Sequence, residues 1–512
     1  MKYLSTRDPA VSVTAAQAIV RGISAEGGLF LPESIPSVTP DELRELCALS
    51  YVERAERILA PYLSDFSAEE LADCVRGAYG AQFAAKEIAP LAQLDENTHM
   101  LELFHGPTCA FKDMALQLLP RLLTVSAKKT GAGELVILVA TSGDTGKAAL
   151  EGFRDVPGTR VLVFYPSEGV SPMQRLQMVT QEGGNVGVCA VRGNFDDAQT
   201  GVKEIFTDGA VLAKLAERSL AFSSANSINW GRLAPQIAYY FSAYCDLVNI
   251  GSIRLGDKIN FVVPTGNFGN ILAAYYAREM GLPIGKLICA SNQNRVLTDF
   301  LQSGTYNARR SFFTTISPSM DILISSNLER LLFLLSGKDT RRLADWMRSL
   351  RDNGEYTVPP LLRTKLQELF WAGSCGEEDT RAAITRTWRD NAYLCDPHTA
   401  VGVDVLRQYR AATGDTATAV VAATASPFKF VTPVLEALGY VPPAGDDEFS
   451  LAERLAAETA QPCPSGLLAL RGKPVLFPSV CSKGDMRGAL WSLPGGYVGA
   501  RHDVPLPPRY FS

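Results

Sequence analysis

The chain predicts an α/β fold, with parallel sheets covered on both faces by helices, behind a mixed, mostly helical N-terminal region. Three observations carry this. From about residue 130, short unbroken apolar runs alternate with helix-length stretches. The loops that follow those runs are rich in Gly, Ser, Thr, Asn and Asp. Residues 1–95 lack this alternation and pattern as short helices. Strands buried on both faces read as continuous apolar runs, and their alternation with helices marks parallel crossover units.

Residues 15–21, 40–48, 51–63 and 68–78 have helical patterning and carry no evident chemistry; covering or subunit contacts are their expected use. Residues 134–141 form a strand-length apolar run, followed by a helix-like stretch at 147–154. Strands at 160–165, 185–191, 221–223, 258–263 and 287–290 then alternate with helices at 171–181, 196–206, 232–244 and 271–280. Pro172 falls at the first position of its helix, where the missing N–H costs nothing. Residues 322–388 read as mainly helical. A last strand at 417–423 precedes a loop at 424–428 and a helix at 431–438. A helix at 451–458, a strand-like piece at 474–477 and a Pro/Gly-rich end from Leu493 follow, with 442–447 as the best linker.

The composition narrows the function. A net charge of -5 without a basic run argues against nucleic acid as the partner. The apolar runs are too short to span a bilayer, and the N-terminus has no secretory h-region, so a soluble, cytoplasmic protein is expected. The 10 cysteines include no Cys-x-x-Cys pair, and the 4 histidines (His99, His105, His398 and His502) have no metal-ligand spacing. No metal is expected.

Chemistry concentrates in a few segments. Lys112 follows a Gly-Pro turn and an apolar pair in Gly106-Pro107-Thr108-Cys109-Ala110-Phe111-Lys112-Asp113, ahead of a helix-like stretch at 114–123. A desolvated lysine loses proton affinity, and its neutral amine can form a Schiff base with an aldehyde cofactor. A surface lysine at a helix start is the plainer reading of this residue by itself.

Two loops, Thr141-Ser142-Gly143-Asp144-Thr145-Gly146 and Pro264-Thr265-Gly266-Asn267-Phe268-Gly269-Asn270, each follow a strand and open a helix. Converging backbone N–H groups and a helix N-terminus make such loops anion sites; a tight turn alone is the alternative for either. Neither has the spacing of a nucleotide P-loop or a dinucleotide fingerprint. Ser224-Ala225-Asn226-Ser227-Ile228-Asn229-Trp230-Gly231-Arg232 offers hydroxyl, amide and guanidinium donors suited to phosphate or carboxylate, or a plain helix cap. Thr424, in Thr424-Ala425-Ser426-Pro427-Phe428-Lys429-Phe430, places a hydroxyl at a strand end.

Together with Gly27-Gly28-Leu29-Phe30-Leu31-Pro32, Ser317-Pro318-Ser319-Met320-Asp321 and Asp396-Pro397-His398-Thr399-Ala400-Val401-Gly402, these segments follow one family's order. The chain closely resembles threonine synthase of the longer microbial and fungal branch, a fold-type-II pyridoxal-phosphate enzyme (tryptophan synthase β-like, with two parallel-sheet lobes). The resemblance implies an N-terminal domain over 1–95, a catalytic unit over 96–445 with its smaller lobe at about 131–245, and a C-terminal segment over 446–512. It implies pyridoxal 5'-phosphate held as a Schiff base on Lys112. Gly266, Asn267, Phe268, Gly269 and Asn270 would cradle its phosphate, Asp144 would lie near the pyridine hydroxyl, and Thr424 would face the pyridine nitrogen. Ser142, Thr145, Asn226, Ser227 and Arg232 would bind substrate.

The implied reaction turns O-phospho-L-homoserine and water into L-threonine and phosphate by γ-elimination and β-hydration, the last step of threonine biosynthesis. Two features depart from the pattern: Ser426-Pro427-Phe428 stands where many relatives carry His-Pro-Ala, and 495–512 is additional. A phospho-lyase giving 2-oxobutyrate, phosphate and ammonia shares every cofactor contact and is the alternative. A binding protein that kept the scaffold is disfavoured by Lys112 and residues 266–270. A monomer or homodimer fits equally.

Overall fold

The computed structural model describes residues 1–443 and 445–492; the additional stretch 495–512 lies outside them. Strand Glu134–Ala140 lies at the heart of the smaller lobe, paired with Thr159–Pro166 on one side and Leu220–Ser223 on the other. Val186–Val191 and a short strand, Val480–Cys481, extend the sheet, and all five strands run parallel. The larger sheet has the order Phe370–Ser374, Ile284–Ser291, Ile259–Pro264, Ala419–Ala423, Thr98–Glu102, Leu91–Asp95. Its strands are parallel except for the antiparallel edge Leu91–Asp95. Strands Ile259–Pro264 and Ala419–Ala423 are buried at every residue, which is why they read as apolar runs, broken only by Asn260, whose amide donates to Asp415 at 2.8 Å.

The N-terminal region combines a three-stranded antiparallel sheet with helices Ala15–Arg21, Pro40–Cys47, Tyr51–Leu59 and Ala68–Ala78. Each helix opens with a capping box: Thr14 with Gln17, Thr39 with Glu42, Ser50 with Glu53 and Ser67 with Glu70. The reciprocal bonds satisfy two orphan donors at each helix start. This region is fastened to the larger lobe by buried and partly buried polar contacts. Arg7 reaches Glu329 at 2.7 Å, Arg54 reaches Asp246 at 2.6 Å, and Arg330 donates to the Phe30 carbonyl at 2.8 Å. Trp230 sits among Tyr3, Tyr62 and Tyr276 with ring centroids 5.3–5.5 Å away. Aromatic pairs at such spacing add attraction beyond their buried area.

The structure adds to or changes the sequence reading at four places. The stretch 322–388 is mainly helical as expected, but within it Phe370–Ser374 is the edge strand of the larger sheet, entered straight from helix Pro360–Leu369 without a turn. The hairpin Leu91–Asp95 and Thr98–Glu102 was not expected either; buried Thr98 and His99 break its apolar pattern, and Arg410 donates to the Thr98 hydroxyl at 2.8 Å. Residues 474–477 form no strand; the strand lies at Val480–Cys481. The helix after Lys112 comes in two pieces, Asp113–Leu116 and Leu119–Thr130, and Pro120 opens the second because it has no N–H to continue the first. Among the described residues no helix is long and apolar enough to cross a membrane.

Candidate active site

Parallel sheets gather functional loops at the carboxyl ends of their strands. Here five strands deliver their loops to one cavity of about 510 Å3. Thr98–Glu102 leads to Lys112, Glu134–Ala140 to Ser142 and Thr145, and Leu220–Ser223 to Asn226, Ser227 and Arg232. Ile259–Pro264 leads to Gly266, Asn267, Phe268, Gly269 and Asn270, and Ala419–Ala423 to Thr424. Every candidate named from the sequence lines this cavity except Asp144, which touches it through Lys112 and Ser319.

The glycine-rich loop is built to leave donors facing inward. Phe268 has φ 62°, a left-handed conformation that turns the backbone into helix Gly269–Glu279. A Cβ on Gly266 would lie 2.8 Å from the Ser319 carbonyl oxygen, so only glycine fits there. The loop's carbonyls are taken from outside: the Ser325 hydroxyl donates to Gly266 O, and Asn327 Nδ2 donates to Asn267 O at 3.0 Å. Asn270 Oδ1 accepts from the Tyr239 and Tyr240 hydroxyls, both at 2.5 Å, which fixes its amide. Asn270 Nδ2 is then a buried donor with no partner. An orphaned amide donor beside the free N–H groups of a helix first turn fits an anionic group such as the cofactor phosphate.

Across the cavity, Lys112 is 6% exposed. Its Nζ lies 2.9 Å from Asp144 Oδ2, 3.0 Å from Ser319 Oγ and 4.5 Å from the Phe111 ring centroid. Burial pulls its proton affinity below the ordinary lysine value; Asp144 opposes this, and the like charges of Lys429 and Arg232 add to it. Burial by itself would raise Asp144, but Lys112 and Lys429 outweigh it and hold the carboxyl well below the usual range. A lysine so placed fits the aldehyde of pyridoxal phosphate, as the loop fits its phosphate.

The loop carrying Lys112 is closed by Asp113, whose carboxylate accepts from the Thr108 N–H at 2.8 Å and the Thr108 hydroxyl at 2.7 Å. Burial raises the Asp113 pKa from 3.8 to about 6, against those hydrogen bonds. Because the folded value is the higher one, the stability from this group is complete below about pH 3.8. It is lost as pH rises through about 6. At roughly 1.4 kcal/mol per unit, the loss amounts to roughly 3 kcal/mol. The unfolding free energy of wild type minus that of Asp113→Asn should fall by this amount between pH 4 and 7 in urea titrations; a flat difference would refute the shift.

Arg232, also 6% exposed, donates to Ala225 O at 2.7 Å and to Thr145 Oγ1 at 3.3 Å. Burial lowers it to about 10, which leaves it cationic at neutral pH. Asn327 Nδ2 donates to Ser227 Oγ at 3.1 Å, tying the substrate-type loop to the glycine-rich one.

Four polar residues at the site had no role assigned from the sequence. His398 lines the cavity, accepts from the Ser319 N–H at Nε2 (3.2 Å) and therefore carries its proton on Nδ1, donated to Asp396 at 2.7 Å. Ser319 and Gln174 both bond the Asp144 carboxylate. Lys429, fully buried, lies 2.7 Å from Asp144 Oδ1. Its signal was present, since Phe428-Lys429-Phe430 is a cation among apolar residues just as Phe111-Lys112 is. Ser426 and Phe428, in the segment where the resemblance implied a departure, do not line the cavity; Phe428 packs in an apolar cluster with Cys109 and Met173. Arg21, Ser24 and Gly27 of the N-terminal region also line the cavity, so that region does more than cover.

Two parallel-sheet lobes around one cavity, with a buried lysine facing an anion cradle, define a fold-type-II pyridoxal-phosphate-dependent enzyme. Residues 88–425 match the family described as pyridoxal-phosphate dependent enzyme, residues 2–79 the threonine synthase N terminus, and residues 399–462 the threonine synthase C-terminal family. The chain belongs to the threonine synthase family. It is 39% identical to threonine synthase of Pseudomonas aeruginosa over 447 residues, 86% of this chain and 92% of that one. It is 42% identical to threonine synthase-like 1 of Homo sapiens over 433 residues, 83% of this chain, and spans 58% of that protein's length. The crystal structure of PLP-bound threonine synthase from Brucella melitensis superposes with a TM-score of 0.83 at 39% identity, covering 94% of this chain and 97% of that one.

Proposed function

We propose that the protein converts O-phospho-L-homoserine and water to L-threonine and phosphate. One observation carries this reading: a buried amine of lowered proton affinity, Lys112, shares one cavity with two separate donor-rich sets of loop residues. One set, residues 266–270 with the unpartnered Asn270 Nδ2, suits the phosphate of pyridoxal 5'-phosphate. The other, Ser142, Thr145, Asn226, Ser227 and Arg232, suits the carboxylate and phosphate of the substrate. When bound, the cofactor supplies an electron sink for negative charge at the substrate's Cα.

The chain's residues do the rest. Lys112 would hold the cofactor by its aldehyde, and its amine would take the proton from the substrate's Cα; a single base so placed can serve several proton transfers. Arg232 and the hydroxyls beside it orient the substrate so that its γ phosphate is the leaving group. Thr424, a neutral hydroxyl lining the cavity, would face the pyridine nitrogen and leave it unprotonated. Asp144 holds Lys112 in place. The protein acts on a small molecule, alone or as a homodimer.

A second reading, a phospho-lyase releasing 2-oxobutyrate, phosphate and ammonia, is kept alive by the 42% identity to threonine synthase-like 1. Incubation of the purified protein with O-phospho-L-homoserine in 18O-water separates them. The synthase reading expects threonine and phosphate in equal amounts, with the label in the threonine hydroxyl. Accumulation of 2-oxobutyrate without threonine would replace it with the lyase, and absence of phosphate release would sink both.

A further inference from the structure

Asp144 is shared by two lysines, and only one of them reaches the cavity. Lys112 Nζ bonds Oδ2 at 2.9 Å, while Lys429 Nζ lies 2.7 Å from Oδ1. The Lys429 side chain is 0% exposed and does not line the cavity, so it touches neither cofactor nor substrate. Its other hydrogen bond goes to Thr108 O at 2.9 Å, in the loop that carries Lys112. Burying an ammonium costs several kcal/mol, and a methionine would fill the same volume without that cost. Packing therefore does not account for a lysine here.

We infer that Lys429 is a positioning residue that acts through Asp144 to set the proton affinity of Lys112. The inference rests on Lys112 being the residue that takes the cofactor aldehyde. Asp144 Oδ1 is occupied twice, by Lys429 and by Gln174 Nε2 at 2.7 Å, which leaves only Oδ2 for Lys112 and fixes the plane of the carboxylate. Gln174 and Ser171 belong to the small-lobe helix start, and the Ser171 hydroxyl donates to Lys429 O at 3.2 Å, so the network joins the two lobes. Lys429 and Asp144 together form a nearly neutral unit. Facing them from other elements are Arg232, His398, Asp113, Lys147 and the Cys109 thiol.

Without Lys429, the whole carboxylate charge falls on Lys112, and a like charge that repelled its proton is gone. Both changes make Lys112 hold its proton more tightly. Capture of the aldehyde needs the neutral amine: nitrogen adds to the carbonyl carbon, a C=N bond forms, and the carbonyl oxygen leaves as water. Its pH midpoint should therefore rise.

The test uses the full-length protein freed of cofactor with hydroxylamine and mixed with pyridoxal 5'-phosphate across a range of pH. The capture rate is followed by absorbance, and borohydride reduction with peptide mass analysis locates the modified lysine. Lys429→Met should move the midpoint up by about one pH unit and slow capture about tenfold below it. Lys429→Arg should keep the wild-type midpoint, and adding Asp144→Asn to Lys429→Met should abolish the rise, because the carboxylate through which the charge acts is gone. An unchanged midpoint in Lys429→Met, with Lys112 still modified, overturns the inference and leaves the proposed function standing. If Lys429→Met does not fold, Lys429→Gln, which keeps a donor for Thr108 O and loses the charge, decides by the same criterion. Reduction that labels another lysine overturns the assignment of Lys112, and the inference with it.

Discussion

Lys112→Ala should abolish phosphate release from O-phospho-L-homoserine, lowering kcat by about 10³- to 10⁴-fold, while the fold persists. Two losses combine in this change. The aldehyde loses its covalent anchor, so the absorbance of the bound cofactor shifts to that of the free aldehyde. The Cα proton loses its base, worth about 10²–10⁴-fold alone. The cradle at 266–270 does not depend on Lys112, so pyridoxal 5'-phosphate should still bind non-covalently. Exogenous methylamine should restore a small part of the rate by serving as base. Activity within tenfold of wild type would remove Lys112 from the chemistry.

Asp144→Ala should have the largest effect on stability. It strands two lysines that are 7% and 0% exposed, 2.7–2.9 Å from the missing carboxylate. Removing one partner of a buried ion pair costs about 3–5 kcal/mol, because uncompensated charge stays behind. Urea unfolding at pH 7 measures this. Asp144→Asn should lose almost as much, since an amide keeps the shape and not the charge. Adding Lys429→Met to Asp144→Ala should recover part of the loss; strictly additive effects would show that the pair is uncoupled.

The parts of the fold that were legible are those whose pattern is local. Strand Glu134–Ala140 and the loop after it stand out because burial on both faces demands an unbroken apolar run and the loop demands small residues. The glycine-rich loop is readable for the same reason: Gly266 has no room for a Cβ. Phe370–Ser374 was hidden because helix Pro360–Leu369 runs into it without a turn signal, and Thr98–Glu102 because its buried Thr and His find partners far away in sequence. At the site, the residue types were legible and their partners were not. Asp144 reads as a residue near the cofactor, but its bridging of Lys112 and Lys429 depends on three segments brought together by two sheets. His398 and Ser319 belonged to recognisable motifs, yet the contact between them exists only in three dimensions.

The pairing of Val480–Cys481 with Val186–Val191 bears on how the chain is made. The neighbouring strand emerges from the ribosome about 290 residues before its partner, which at 5–20 residues per second is roughly 15–60 s. Through that interval the nascent smaller sheet presents a fully buried-type strand with one row of backbone groups unpaired, a template for joining another chain. Thr98–Glu102 waits longer still for Ala419–Ala423. Recombinant yield should therefore depend on chaperone supply and growth temperature, and truncation before residue 480 should send material to inclusion bodies although the catalytic loops are all present.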